Sequence, residues 1–133
     1  MTKKKYVVLV VGAGTKGNIG YGIAEKFERE GHTVLVNDIN FNHEDFIHYH
    51  ADVTDEEQVA KMINDVAEDW GRLDVLVNSA GVNILGKIED YRLEDFNRTI
   101  AVNLTSNFLL LQAYVRKFDN DGNRKVFLAI TSD

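Results

Sequence analysis

The positions whose residue types and spacing carry chemistry begin with a glycine cluster. Gly12, Gly14, Gly17, Gly20 and Gly22 follow directly on the apolar run Val7–Val11. A helical pattern opens behind them with Ile19, Ile23 and Phe27. Glycine lets a backbone turn sharply and approach a ligand that any Cβ would exclude. The N–H groups and positive dipole end of the helix that follows suit a pyrophosphate. Gly12-x-Gly14-x-x-Gly17 therefore fits a dinucleotide fingerprint in spacing and in its strand–loop–helix context. The triplet alone also fits an ordinary tight turn, so the weight falls on what lies downstream.

Chemistry of this kind needs elements to hold it. Val7–Val11 and His32–Asn37 (HTVLVN) are continuous apolar runs, as expected of parallel strands buried on both faces. Between them Ile23, Ala24 and Phe27 mark an amphipathic helix that stops at Gly31. Phe46–His50 is a candidate third strand, closing at Asp52-Val53. Thr54 is the expected N-cap of a second helix, with Asp55, Glu56 and Glu57 in its first turn. Val59, Met62, Ile63, Val66 and Trp70 form its core stripe, and Gly71 ends it. Leu73–Asn78 and Lys125–Thr131 read as further strands. Arg92–Phe118 reads as one long helix with Leu93, Phe96, Ile100, Leu104, Leu111 and Val115 on its apolar side. Strands alternate with helices, which predicts an α/β fold: a doubly wound parallel sheet of Rossmann type with ligands at its carboxyl edge.

The chain has 133 residues, the length of about one domain, so residues 1–133 are expected to form a single dinucleotide-binding domain. A hydrophobic content of 44% and a charged content of 27% are globular values. The net charge of −6 argues against a nucleic-acid or anionic-membrane surface, and the basic start Lys3-Lys4-Lys5 is too short to reverse that. No cysteine is present, which excludes disulfides and thiolate chemistry and suits a reducing cytoplasm. No apolar stretch is long enough to cross a bilayer, so no membrane partner is expected.

Taken together, these stretches resemble the short-chain dehydrogenase/reductase family from Val7 to Ser132. The loop Gly12…Ile19-Gly20-Tyr21-Gly22-Ile23-Ala24 is similar to the family's glycine loop, and most similar to the longer variant of its enoyl-reductase branch. Asn18 stands where the usual loop has its middle glycine. The resemblance implies that Gly12, Gly14, Thr15, Lys16, Ile19 and Gly20 cradle the cofactor. It also places Asp38, with Ile39 behind it, at the adenosine ribose. A carboxylate there accepts hydrogen bonds from the 2′- and 3′-hydroxyls and repels a 2′-phosphate, so NAD is expected over NADP, although Lys16 partly offsets the repulsion. Asp52-Val53 resembles the pair that flanks the adenine. Asn78-Ser79-Ala80-Gly81 is similar to the family's Asn-Asn-Ala-Gly, which assigns Asn78, Ala80 and Gly81 to the cofactor wall. In Ala101-Val102-Asn103-Leu104, Val102 lines the cofactor site and Asn103 takes the family's place in a proton relay. Asparagine is a poor mid-helix residue, and the apolar neighbours Ile100 and Leu104 argue against full exposure. Ala129-Ile130-Thr131-Ser132 resembles the end of the fifth strand, where Ser132 takes the position of the catalytic serine. A strand-ending Ser132-Asp133 also fits a helix cap.

The family's acid/base pair, Tyr-x-x-x-Lys, lies past that serine, and Tyr6, Tyr21, Tyr49, Tyr91 and Tyr114 all sit elsewhere. The expectation is therefore the amino-terminal part of a longer enzyme, truncated after the fifth strand and inactive by itself. Its parent would exchange hydride with a small carbonyl or alcohol substrate, and the chain is expected to form a homo-oligomer in the cytoplasm. Two other readings stay open: a non-catalytic dinucleotide sensor or interaction module, and a methyltransferase. The latter lacks its usual acid before the loop, since Leu9-Val10-Val11 offers none. The family also fits a helix between its second and third strands. Asn40–Asp45 is too short for one, so the third strand is expected to be frayed or absent. His43, His48 and His50 lack a readable further ligand, and no metal is expected.

Overall fold

A computed structural model describes residues 4–132; Lys3 of the basic start and Asp133 lie outside the described residues. The chain forms five parallel strands, β1 (Val7–Val11), β2 (Thr33–Asp38), β3 (Ile47–His50), β4 (Val75–Asn78) and β5 (Val126–Ala129), in the order β3-β2-β1-β4-β5. Helices α1 (Ile19–Arg29), α2 (Glu56–Trp70), α3 (Leu93–Ile100) and α4 (Ser106–Phe118) connect them.

The sheet is sorted by the pleat. In β1, Val7, Leu9 and Val11 face the layer of α2 and α4, packing with Val59, Ile63 and Leu110. Val8 and Val10 face the opposite layer, where they pack with Val34, Val36 and Ala24 of α1. All five residues of β1 are buried, as a central parallel strand requires. Buried Asp74 ties β4 to β1: its Oδ2 accepts from the Val7 N–H at 2.8 Å, and Arg72 grips both of its oxygens from outside.

Several expectations need correction. β3 is neither frayed nor absent, since it pairs with β2 from Leu35↔Ile47 to Asp38↔His50. It starts one residue later than expected because Phe46 adopts a left-handed backbone, φ 65°, which turns the short connection into the strand. No helix intervenes between β2 and β3. The N-cap of α2 is Asp55, whose carboxylate accepts from Gln58 N, while Thr54 bonds Asp52 instead. Trp70 lies 37% exposed at the end of α2, outside the core stripe, with its indole N–H on Tyr49 Oη. The expected long helix is interrupted by a π-helical turn at Ala101–Thr105, and its apolar row faces outward. Leu93 is 72% exposed and Leu104 63%, whereas Val102, Ser106, Leu110 and Tyr114 turn to the sheet.

Candidate functional site

β1, β2 and β4 end side by side, and their exit loops line a cavity of about 200 Å³. It sits where the chain reverses its direction of sheet growth, between β1 and β4, which is where open α/β sheets take ligands. The glycine loop makes one wall. Gly12 has φ +84°, and a Cβ on it would stand 2.7 Å from Ala80 N. Its N–H and that of Ala13 both donate to Asn37 O, so β2 holds the loop's start in place. Asn18 caps α1: its Oδ1 accepts from Tyr21 N at 2.8 Å, and its Nδ2 donates to Gly12 O at 3.1 Å. The departure from a middle glycine thus replaces flexibility with a cap that ties both ends of the loop together. Ile19 and Gly20 are the first two helical residues, so their N–H groups have no acceptor within the helix.

Asp38 stands at the carboxyl end of β2. Its Oδ2 accepts from Gly14 N at 3.0 Å and its Oδ1 from Ile39 N at 2.8 Å. The segment after it straps the glycine loop from outside. Asn42 N donates to Gly14 O, Lys16 N donates to Asn42 Oδ1, and His43 Nε2 donates to Ala13 O. Tyr21 Oη donates to Asp45 Oδ2 at 2.7 Å, a bond that pushes the phenol up to about 12 and holds the Asp45 carboxyl below its usual range. This strap explains how the fold dispenses with a helix before β3. His48 stacks on Phe41 at 3.9 Å, and His43 meets both rings edge-on. Among the described residues no three His, Cys, Asp or Glu side chains gather as a metal-binding group.

The far wall is built on β3 and α3. Asp52 Oδ1 accepts from both the N–H and the hydroxyl of Thr54. Burial pushes the Asp52 carboxyl up, but these two bonds and the charge of Arg98 outweigh burial and hold it below the ordinary aspartate value. Behind the cavity, buried Asn78 donates to Ser106 Oγ at 3.0 Å and Asn107 Oδ1 at 2.8 Å, and its Oδ1 accepts from Ala80 N. Asn103, in the π-helical turn, is exposed, contrary to expectation. Its amide is nevertheless engaged at both ends, accepting from Val82 N and donating to Val82 O.

Of the residues singled out in the sequence, Gly12, Asp38, Ile39, Asp52 and Val53 line the cavity, and Ala80, Gly81 and Val102 complete its other side. Gly14 and Gly20 pack beneath the loop, where a Cβ would meet Asn40 O at 2.1 Å and Gly12 O at 2.5 Å respectively. Thr15, Lys16 and the Ile19 side chain are exposed on its outer side, and Lys16 Nζ leans 4.0 Å from Asp45. Asn78 and Asn103 hold the walls from behind. Ser132 follows β5, exposed, and is not part of the cavity lining. The cavity adds Asn18, Thr54, Val82 and Arg98. Asn18 was legible as a cap-forming type at a helix start; a solvated helix arginine such as Arg98 carries no signal in its residue type. The donor set suits a dinucleotide, with helix N–H groups at the loop and carboxylates at the ends of β2 and β3.

The parallel sheet, its strand order and the glycine loop define a Rossmann-like α/β protein. The family model described as enoyl-(acyl carrier protein) reductase matches residues 12–133, and the chain belongs to the short-chain dehydrogenase/reductase family. It is 38% identical over 123 residues to an uncharacterized oxidoreductase, YxjF, of Bacillus subtilis, covering 82% of this chain and 46% of that protein. It is 31% identical to the D-beta-hydroxybutyrate dehydrogenase of Rhizobium meliloti, over 82% of this chain and 48% of the relative. Among solved structures, ElxO with NADP bound superposes with a TM-score of 0.86 at 30% identity, over 97% of this chain and 56% of that one. A short-chain dehydrogenase from Leptospira borgpetersenii with bound NAD+ gives 0.85 at 25% identity, over 97% and 52%. The chain spans about half the length of the curated relatives it matches.

Proposed function

We propose that this chain supplies the cofactor-binding part of an NAD-dependent oxidoreductase acting on a small alcohol or carbonyl substrate. The observation that carries the reading is Asp38, a carboxylate at the rim of the cavity whose two oxygens are fixed by Gly14 N and Ile39 N. An anchored carboxylate accepts from ribose hydroxyls and repels a 2′-phosphate, which favours NAD over NADP. Ile19 and Gly20 N–H groups face the pyrophosphate, and Asp52-Val53 flank the adenine. When bound, the nicotinamide supplies the hydride chemistry. Ser132 orients the substrate carbonyl, and Asn103 keeps its place in the proton relay while fixing the loop through Val82. Turnover further requires an acid/base group at the reacting carbon; the roles we assign to this chain's own residues are cofactor binding and substrate orientation.

Calorimetric titration of NAD and NADP against the wild-type chain, Asp38→Ala and Asp38→Asn tests this. NAD binding weakens in both variants, and the preference over NADP narrows. An unchanged NAD affinity in both removes Asp38 from the site. The outward apolar row on α3 and α4 supports a homo-oligomer, and a strictly monomeric, fully folded species in sedimentation would count against it.

A further inference from the structure

We propose that Arg98 is a specificity-determining residue of the adenine compartment, its guanidinium forming the cationic wall opposite Asp52 and contacting the purine of a bound dinucleotide. The inference rests on the dinucleotide reading above and extends it to a residue on a different element. Arg98 belongs to α3, yet it lines the same cavity as Asp52, Val53 and Val82. Among the described residues lining that cavity it is the only cation, facing two carboxylates, Asp38 and Asp52.

Its surroundings leave the guanidinium available. On a helix, a glutamate four residues earlier is the natural partner of an arginine. Glu94 holds that position, but it lies 3.9 Å from Arg92, and Asp95 also bonds Arg92 in bidentate fashion. Arg98 has no carboxylate within 4.0 Å among the described residues, so no ion pair draws it away from the cavity. Its charge still reaches Asp52: behind burial and the Thr54 hydrogen bonds, it is a further influence on that carboxyl, and it helps keep it ionised as an acceptor. Asp52 Oδ1 is taken by Thr54, which leaves Oδ2 for an exocyclic amine. A planar guanidinium and a carboxylate across an apolar slot made by Val53, Val82 and Val102 form a set that recognises a flat, polar-edged base. A guanidinium is also attracted to an aromatic face.

The test uses the full chain and separates the two halves of the cofactor. AMP, NMN and NAD are titrated by calorimetry against wild type, Arg98→Ala and Arg98→Lys, with thermal melting of each. The expected result is a roughly tenfold loss of AMP and NAD affinity in Arg98→Ala, with NMN unchanged and melting within a degree or two of wild type. Arg98→Lys, a compact charge without the planar fork, recovers only part of the loss. Equal AMP affinity in wild type and Arg98→Ala overturns the assignment. Parallel weakening of AMP and NMN also overturns it, because that marks a long-range charge effect. A wild type that binds neither AMP nor NAD defeats the dinucleotide reading itself, and this inference with it.

Discussion

The side-chain amide of Asn103 pairs with the backbone of Val82 as one strand pairs with another. Asn103 Nδ2 donates to Val82 O at 2.9 Å, and Val82 N donates to Asn103 Oδ1 at 2.8 Å. The π-helical turn at Ala101–Thr105 provides this geometry, since the wider turn carries Asn103 outward against the loop that follows β4. Local π-helical turns interrupt the regular ladder, and here a single side chain uses the disruption to fix a cavity wall.

Replacing Asn103 with alanine removes both bonds and frees the Val82 amide. Two hydrogen bonds at a solvated site give an expected loss of about 1–2 kcal/mol of stability. Amide hydrogen exchange at Val82 accelerates in the variant, while exchange in β1 stays slow. Unaltered exchange at Val82 would show that the loop is held by something other than this amide.

A second expectation concerns alkaline stability. Burial and the hydrogen bond to Asp69 Oδ2 at 2.6 Å push the Tyr49 phenol up to about 12. The folded state therefore keeps its proton where the unfolded chain has lost it. The stabilisation is full below pH 10 and fades as pH rises from about 10 to about 12. Trp70, the sole tryptophan, donates to Tyr49 Oη at 3.0 Å, so its fluorescence follows unfolding at this corner. Tyr49→Phe should flatten the alkaline decline. A decline as steep as wild type would assign it to other groups.

Buried Asp74 offers a stability test away from the site. Its Oδ2 accepts the Val7 N–H at 2.8 Å at the start of the central strand. Asp74→Ala leaves that buried donor without a partner and Arg72 without its carboxylate. A loss of about 1.5–3 kcal/mol in denaturant unfolding is expected, the range for a hydrogen bond to a charged group. A loss under half that would mean that water replaces the carboxylate.

How far the sequence reaches is best seen in β1 and in the α3–α4 segment. Val7–Val11 has no polar position and is central in the sheet, so its burial on both faces is written in its composition. Helical periodicity in α3 and α4 announces an apolar face without saying what it meets. The row from Leu93 to Val115 faces outward, because the sheet side is made by Val102, Ser106, Leu110 and Tyr114. Two of those residues carry hydroxyls and look like surface positions. Ser106 Oγ bonds Val102 O at 2.6 Å and Tyr114 Oη bonds Leu73 O at 2.6 Å, so both are satisfied inside. The same limit governs the cavity: Asp38 is marked by its place after a strand, whereas Arg98 joins the site only through the turn of α3.

The glycines of α1 make opposite predictions three-dimensionally, although they stand two residues apart. A Cβ at Gly20 would lie 2.5 Å from Gly12 O, a backbone atom of β1's exit loop that cannot yield without moving the cavity wall. At Gly22 nothing lies within 4 Å, and the backbone is helical, where alanine is favoured over glycine by about 0.5–1 kcal/mol. Gly22→Ala should therefore raise stability by about that amount and leave NAD affinity unchanged. Gly20→Ala should destabilise the fold by about 1–3 kcal/mol through overpacking and lower NAD affinity by disturbing the Gly12–Asn18 tie. Paired denaturation and calorimetry measure both effects. If Gly20→Ala matched Gly22→Ala in both, the close approach of α1 to the end of β1 would not govern the cavity's shape.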